Sequence, residues 1–276
     1  MEVILGGISS LLYGVADFLG GEGAKRAPAA AIVLWAGVIS FPMILVVALV
    51  VGGDTGPVDL LLGAAAGIAG AVGLVSLFAG LSRGNAAAVA PTAAAVAAVL
   101  PVIVAVVGGE RPSTLAWVGV AVAVPAIVLS SWVADPGEPP RGRFGYGLAA
   151  GLGFGGFTSI IGFTDPESNL LPLITSRAAT MLAVLALTGL GVWKLVGFGS
   201  VPRRVVLGNA VLDVSGNVAL LLAVRAGSLA LAAVAASFYP AVTVLLARLV
   251  NAEHLRSRQV VGLVLTIVAM AAIALG

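Results

Sequence analysis

The sequence predicts an all-α integral membrane protein with ten transmembrane helices, arranged as two inverted repeats of five helices. Its composition suits lipid, because 60% of the residues are hydrophobic and 9% are charged, whereas about 25% are charged in an average soluble protein. Duplications of this kind are typical of transporters rather than enzymes. The duplication is visible in three residues that recur 143 positions later: Gly84, Glu110 and Gly119 return as Gly227, Glu253 and Gly262.

The ten spans follow from runs that contain no ionisable residue or a single one in their interior. Each run approaches or exceeds the about 20 residues that cross a hydrocarbon core of roughly 30 Å. Ala, Val, Leu and Gly dominate the runs without period-two alternation, which favours helices over barrel strands. In chain order the runs are 3–20, 27–53, 60–82, 84–109, 112–134, 144–164, 170–193, 204–225, 226–247 and 259–276.

A polar, proline-rich stretch at residues 135–140 divides the spans into two sets of five. We therefore predict two repeats, residues 1–137 and 138–276. Because five is an odd number, the second repeat crosses the bilayer upside down relative to the first. Two further matches support the division: Gly73 with Gly216 at a spacing of 143, and Tyr13-Gly14 with Phe154-Gly155 at 141.

The basic residues predict an orientation in the membrane. Eleven Lys and Arg residues follow the odd-numbered spans, and only Arg111 and Arg225 follow the even-numbered ones. The positive-inside rule then places both termini outside the cytoplasm. The basic residues stand singly or in pairs between apolar runs, which favours a membrane protein over a nucleic-acid-binding one. The eleven are Lys25, Arg26, Arg83, Arg141, Arg143, Lys194, Arg203, Arg204, Arg248, Arg256 and Arg258.

Three ionisable residues interrupt the spans and are the first candidates for a binding site. They are Asp17 in the last turn or so of the first span, Arg177 in the seventh and Asp213 in the eighth, with Asn217 one turn after Asp213. An ionisable group inside a membrane span costs about 2.5–3.5 kcal/mol, so it normally faces a cavity or a partner. Asp213 and Asp17 are predicted to bind a proton or a cationic group. The alternative is a structural pair, such as Asp213 with Arg177, and Arg177 is equally suited to a substrate carboxylate.

Few aromatic residues lie inside the spans, which makes their positions informative. Tyr13, Trp35 and Tyr239 are predicted to form cavity walls, and Tyr13 stands one turn before Asp17. Aromatic faces beside carboxylates suit amines through cation–π contact. Packing against lipid or neighbouring helices is the alternative role for each of them.

Motifs for catalysis, metals and cofactors do not gather into a site. The sequence has no cysteine and one histidine, His254, which excludes disulfides and thiolate metal sites and makes a metal cage or a catalytic triad improbable. Residues 151–156 fit a dinucleotide fingerprint in letters only, because no strand precedes them. The sequence also lacks a P-loop. We predict neither an enzyme nor a bound cofactor or metal.

Three segments carry a resemblance to a known family. Gly-Glu-Arg-Pro at 109–112, Tyr-Pro-Ala-Val-Thr-Val-Leu-Leu-Ala-Arg at 239–248 and Tyr-Gly-Val-Ala-Asp-Phe-Leu-Gly-Gly at 13–21 resemble the drug/metabolite transporter superfamily, EamA type. The resemblance implies a central cavity lined by helices one to four and six to nine, with alternating access of the two halves. It gives Glu110 and Glu253 a turn-forming role, and it implies termini inside the cell, against the charge count above.

Together these observations predict a secondary carrier of the inner (plasma) membrane that exports small organic solutes such as amino acids, amines or drug-like metabolites. Transport is driven by the solute gradient or by protons. A lipid or polyprenyl-phosphate flippase of the same fold is the alternative. The expected partners are a small-molecule substrate, membrane lipids and protons, with no nucleic acid. The sequence leaves open whether the carrier is a monomer or a homodimer.

Overall fold

The structure is a computed structural model that describes residues 1–84, 86–109, 111–131, 140–226, 235, 238–252 and 256–276. Glu110, Gly227, Glu253, His254 and the proposed boundary at residues 137 and 138 lie outside the described residues. Within them, the regular structure is entirely helical. The α-helices are α1 (Glu2–Ala24), α2 (Ala29–Val51), α3 (Pro57–Leu81), α4 (Ala86–Val107), α5 (Thr114–Ser131), α6 (Pro140–Ile161), α7 (Leu171–Gly189), α8 (Arg203–Ala226), α9 (Tyr239–Asn251) and α10 (Ser257–Leu275).

Eight of these helices are long and apolar enough to cross a membrane, and the described parts of α5 and α9 are shorter apolar helices. The all-helical, multi-span prediction is therefore confirmed. The position of Asp17 needs correction. The α1 helix continues to Ala24, because Gly20, Gly21 and Gly23 fit tightly against neighbouring helices and Glu22 forms an ion pair with Lys25 at its end. Asp17 thus lies about two turns inside α1 rather than in its last turn.

Local sequence signals set where α3 begins and how its loop is held. Pro57 occupies the first turn, where a missing N–H costs nothing, and the Asp59 carboxylate accepts a hydrogen bond from the Gly56 N–H at 3.2 Å. The other Asp59 oxygen accepts from the Asp165 N–H at 3.0 Å, in the loop between α6 and α7. The two loops therefore meet at one end of the helix bundle.

The helices pack in a pattern of pairs. The most extensive contacts are those of α1 with α8 and of α3 with α6, together with α5 with α10. The α4 helix also packs on α6 as α9 packs on α1, and α3 packs on α7 as α2 packs on α8. Small residues allow the close approaches: a Cβ on Gly67 of α3 would lie 2.1 Å from the Ser176 carbonyl oxygen of α7.

The two ends of the bundle differ in packing and in charge. The main apolar core includes Ile32, Phe78, Val89 and Val206, which lie near the end where α1 and α3 finish and α2, α4 and α8 begin. We call this the basic end, because Lys25, Arg26, Arg83, Lys194, Arg203 and Arg204 lie there. We call the opposite end the acidic end, because its two contacting loops contain Asp54, Asp59, Asp165 and Glu167.

Candidate functional site

A cavity of about 300 Å³ lies between α1, α3, α6, α7 and α8, beside the first residue of α9. Six of the seven predicted site residues line it: Tyr13, Asp17, Arg177, Asp213, Asn217 and Tyr239. These residues come from four helices that are far apart in sequence. Tertiary packing therefore brings the isolated polar residues of several spans to one place.

An ion pair spans the cavity wall between α7 and α8. The Arg177 Nη2 atom lies 2.5 Å from Asp213 Oδ2, and the side chains are 19% and 24% exposed. The pairing that the sequence left as an alternative is therefore present. In surroundings of low dielectric constant each charge stabilises the other, and the loss of either partner would leave the other charge uncompensated.

The Asn217 amide has a different partner from the one that its position suggests. Its Nδ2 donates to the backbone carbonyl oxygen of Asp213 at 2.8 Å. The bond runs back along α8 to the preceding turn, as side chains of this length commonly do. Asn217 therefore contributes its amide oxygen to the cavity.

Asp17 is the second carboxylate of the cavity and differs from Asp213 in its contacts. It lines the 300 Å³ cavity and also a small adjoining space shared with Arg177 and Asp213. Among the residues that the structure describes, no hydrogen bond or ion pair to the Asp17 carboxylate is present. The Asp17 carboxylate therefore lies beside an open space without a described protein partner.

Glycine makes room for the aromatic walls, and the same contact occurs twice. A Cβ on Gly216 of α8 would lie 3.0 Å from the Tyr13 ring of α1. A Cβ on Gly73 of α3 would likewise lie 2.7 Å from the Phe154 ring of α6. In each case an aromatic ring on the cavity wall packs flat against a helix that lacks a side chain at that point.

Trp35 is a correction to the predicted set, since it is not among the residues lining the cavity. Its indole Nε1 donates to the Val196 carbonyl oxygen at 3.0 Å, and its ring centroid lies 5.2 Å from that of Phe198. Both partners belong to the loop between α7 and α8, which packs against the core at the basic end. Trp35 anchors this loop, because its ring and its N–H both find partners there.

Sequence reasoning missed part of the cavity wall. Phe154, Phe157, Ser176, Thr180 and Leu74 line it but carry no charge that marks them inside an apolar span. The match of Tyr13-Gly14 with Phe154-Gly155 was the one signal that could have identified Phe154. Small and apolar wall residues are otherwise indistinguishable from ordinary packing residues.

The cavity is closed towards the basic end and approaches the acidic end. Thr158, near the end of α6, lies on its wall and is exposed. Phe18, Phe78 and Leu81 are buried between the cavity residues and the basic end. The described side chains thus form a pocket with access from one side.

Comparison with known proteins gives one match. Residues 1–132, which contain α1 to α5, match the sequence model of the EamA-like transporter family. No curated protein matches the chain at a significant level. The match confirms the resemblance carried by residues 13–21 and 109–112, and it fits a multi-span, all-helical chain.

Proposed function

We propose that this EamA-type membrane transporter is a secondary carrier that exports small organic solutes across the inner membrane by alternating access. The observation that supports this most is the convergence of Asp17, Arg177 and Asp213 on one cavity inside a bundle of apolar helices. Ionisable groups are costly in such a bundle, and they commonly mark substrate or ion pathways. A cavity of about 300 Å³ is also at the lower end of the volumes that hold small molecules.

The proposal includes ten transmembrane helices in two inverted repeats, residues 1–137 and 138–276. Exchanging each helix with the one five positions later turns the α1–α8 contact into the α6–α3 contact. The same exchange turns α4–α6 into α9–α1 and α3–α7 into α8–α2, and it leaves α5–α10 and α2–α7 unchanged. A pairing pattern that survives this exchange is expected of two homologous units related by a two-fold axis.

Residue contacts support the same relation. Tyr13 and Phe154 are 141 residues apart, and the glycines against which they pack, Gly216 and Gly73, are 143 apart. A second pair agrees: a Cβ on Gly14 would meet Val242, and a Cβ on Gly155 would meet Leu100, which is 142 residues earlier. Contacts that recur with both partners shifted by 141–143 residues are hard to produce without a duplicated unit.

Transport in this proposal is driven by the solute gradient or by protons. The sequence has no P-loop to couple it to ATP. The cavity carboxylates are the groups able to take up a proton in one conformation and release it in the other. Asp213 would need to leave Arg177 to do so, whereas Asp17 has no such described partner.

Counterflow in proteoliposomes tests the carrier function. Purified protein is reconstituted with an excess of unlabelled amines or amino acids inside, and uptake of the labelled solute is followed with and without a pH gradient. We expect counterflow by the wild type, and loss of its pH-gradient dependence in Asp213→Asn and Asp17→Asn. Asp54→Asn is the matched control, because Asp54 is an exposed loop residue away from the cavity.

The outcomes separate the claims. Absence of counterflow for every solute would reject the carrier. Counterflow with undiminished coupling in both cavity variants would reject proton coupling through these carboxylates.

The charges of the cavity favour this function over a flippase for lipid or polyprenyl phosphates. A phosphate headgroup requires several cationic contacts. Among the described residues, Arg177 is the only cation on the cavity wall, and it is paired with Asp213. Stabilisation of the purified protein by anionic headgroups and not by amines or amino acids would reverse this preference.

The proposed orientation places the basic end in the cytoplasm, so that the cavity faces outwards. The chain lacks cysteine, which permits a clean labelling test. Thr55→Cys at the acidic end and Ser200→Cys at the basic end are compared in intact cells with an impermeant maleimide. Labelling of position 55 alone supports the orientation, and labelling of position 200 alone reverses it.

A further inference from the structure

We propose that the cavity selects organic monocations with an apolar or aromatic body, and that Asp17 is the counter-ion of the bound cation. This inference rests on the proposed carrier function and narrows its substrate class. It also assigns the binding charge to Asp17 rather than to Asp213, the residue that the sequence favoured. The argument depends on pairing, charge balance, wall chemistry and access.

Pairing distinguishes the two carboxylates. Asp213 Oδ2 lies 2.5 Å from Arg177 Nη2, so its charge is compensated within the protein. Asp17 lines the same cavity, and the described residues supply its carboxylate with no hydrogen bond or cation. A carboxylate in this setting is stabilised by a cation that arrives from outside.

Charge balance selects among the classes of solute. The described cavity wall carries two carboxylates and one guanidinium, which leaves one negative charge over. A monocation neutralises this charge. A zwitterion leaves it in place, and an anion doubles it inside a bundle of low dielectric constant.

The wall suits an apolar cation rather than a small hydrated ion. Tyr13 lies one turn before Asp17 on the same face of α1, and Tyr239, Phe154 and Phe157 complete an aromatic surround. Aromatic faces attract ammonium groups through their quadrupoles and pack against hydrocarbon. A metal ion would need several oxygen ligands, and the described residues contain no group of three acidic or histidine side chains able to hold one.

Access supports the same sign of charge. The cavity wall reaches the exposed Thr158 at the acidic end, where Asp54, Asp59, Asp165 and Glu167 lie in two contacting loops. Clustered carboxylates beside an opening raise the local concentration of cations and lower that of anions. This field adds to the preference of the cavity without forming a site of its own.

The test uses four solutes that share a phenylethyl or closely similar body and differ in charge: phenethylamine, phenylalanine, 3-phenylpropanoate and 2-phenylethanol. Binding to purified protein is measured by isothermal titration calorimetry at neutral pH. We expect phenethylamine to bind at least about tenfold more tightly than the other three. Equal binding of all four, or tighter binding of phenylalanine or phenylpropanoate, would overturn the assignment.

Variants then locate the counter-ion. Asp17→Asn should remove the tenfold preference, and Asp17→Glu should retain most of it. The double variant Arg177→Gln with Asp213→Asn removes the ion pair but keeps the net charge of the cavity, so it should still prefer the amine. Loss of preference in the double variant together with its retention in Asp17→Asn would transfer the role to Asp213.

A measurement on the wild type covers the case in which a variant fails to fold. Dicyclohexylcarbodiimide modifies carboxyl groups in apolar surroundings, and mass spectrometry locates the adduct. We expect modification of Asp17 that phenethylamine prevents and phenylpropanoate does not. Modification of Asp213 alone, or modification of Asp17 unaffected by phenethylamine, would overturn the proposal.

The counterflow assay separates this inference from the carrier function itself. Counterflow of phenylalanine but not phenethylamine leaves the carrier function standing and refutes the monocation preference. Amine binding through Asp17 without counterflow of any solute refutes the carrier and keeps Asp17 as a binding residue. Amine counterflow that Asp17→Asn abolishes supports both.

Discussion

The wall of the cavity formed by α1 and α8 differs in chemistry from the wall formed by α6 and α3, although the two are related position by position. Asp17 on α1 corresponds at a spacing of 141 to Thr158 on α6. On α8, Asp213 and Asn217 correspond at 143 to Gly70 and Leu74 on α3, and all six residues line the cavity. The packing contacts of the two walls agree, whereas their charges do not. Packing and chemistry therefore changed independently along this chain.

The ion pair should give the largest effect, since it tests how far the charged wall depends on it. Arg177→Ala leaves Asp213 uncompensated beside Asp17, and breaking a buried pair costs roughly 3–5 kcal/mol, which partial exposure here lowers to about 2–4 kcal/mol. Thermal unfolding in detergent, followed by tryptophan fluorescence, measures the loss. The double variant Arg177→Ala with Asp213→Ala should lose less than Arg177→Ala alone, and the exposed Arg204→Ala serves as the control.

The paired aromatic contacts should respond alike if the two walls are equivalent in packing. Gly73→Ala and Gly216→Ala each push a Cβ against an aromatic ring, at 2.7 Å from Phe154 and 3.0 Å from Tyr13. Overpacking of this kind costs about 1–3 kcal/mol. Gly7→Ala, whose Cβ would meet nothing within 4 Å, should not destabilise the protein. Destabilisation by one of the two substitutions only would break the equivalence in thermal unfolding.

Exchanging the residues of the two walls sharpens the comparison further. Asp17→Thr should weaken phenethylamine binding about tenfold, or about 1.4 kcal/mol. Adding Thr158→Asp in the same protein moves the carboxylate to the corresponding position, and we expect it to restore part of the affinity in calorimetry. No recovery would mean that the walls differ in geometry as well as in charge.

The smallest effect is expected outside the cavity, at Trp35. Trp35→Phe removes the hydrogen bond to Val196 while keeping a ring against Phe198, which should cost about 0.5–1.5 kcal/mol of stability. Because Trp35 does not line the cavity, phenethylamine affinity should stay unchanged. A change in affinity without a change in unfolding temperature would return Trp35 to the binding site.

Particular residues show how far the sequence alone could go. Asp17, Arg177 and Asp213 stood out, because a single charge in an apolar run is improbable unless it faces a cavity or a partner. Tyr13 and Tyr239 were found by their positions inside spans. Trp35 met the same criterion and failed, because the criterion gives depth in the membrane but not direction around the helix axis. Ser176, Thr180 and Phe157 gave no signal at all.

The amino-acid sequence by itself determined the class of the protein, since hydropathy, run length and lone charges are properties of each segment and follow from the cost of exposing polar groups to lipid. It also contained the repeat spacing that points to two related halves. Only the tertiary structure decided that Asp213 pairs with Arg177 while Asp17 does not, and that Trp35 turns to a loop. Those outcomes depend on how helices far apart in sequence rotate and approach one another, and glycine-permitted contacts such as Gly67 against Ser176 set that geometry.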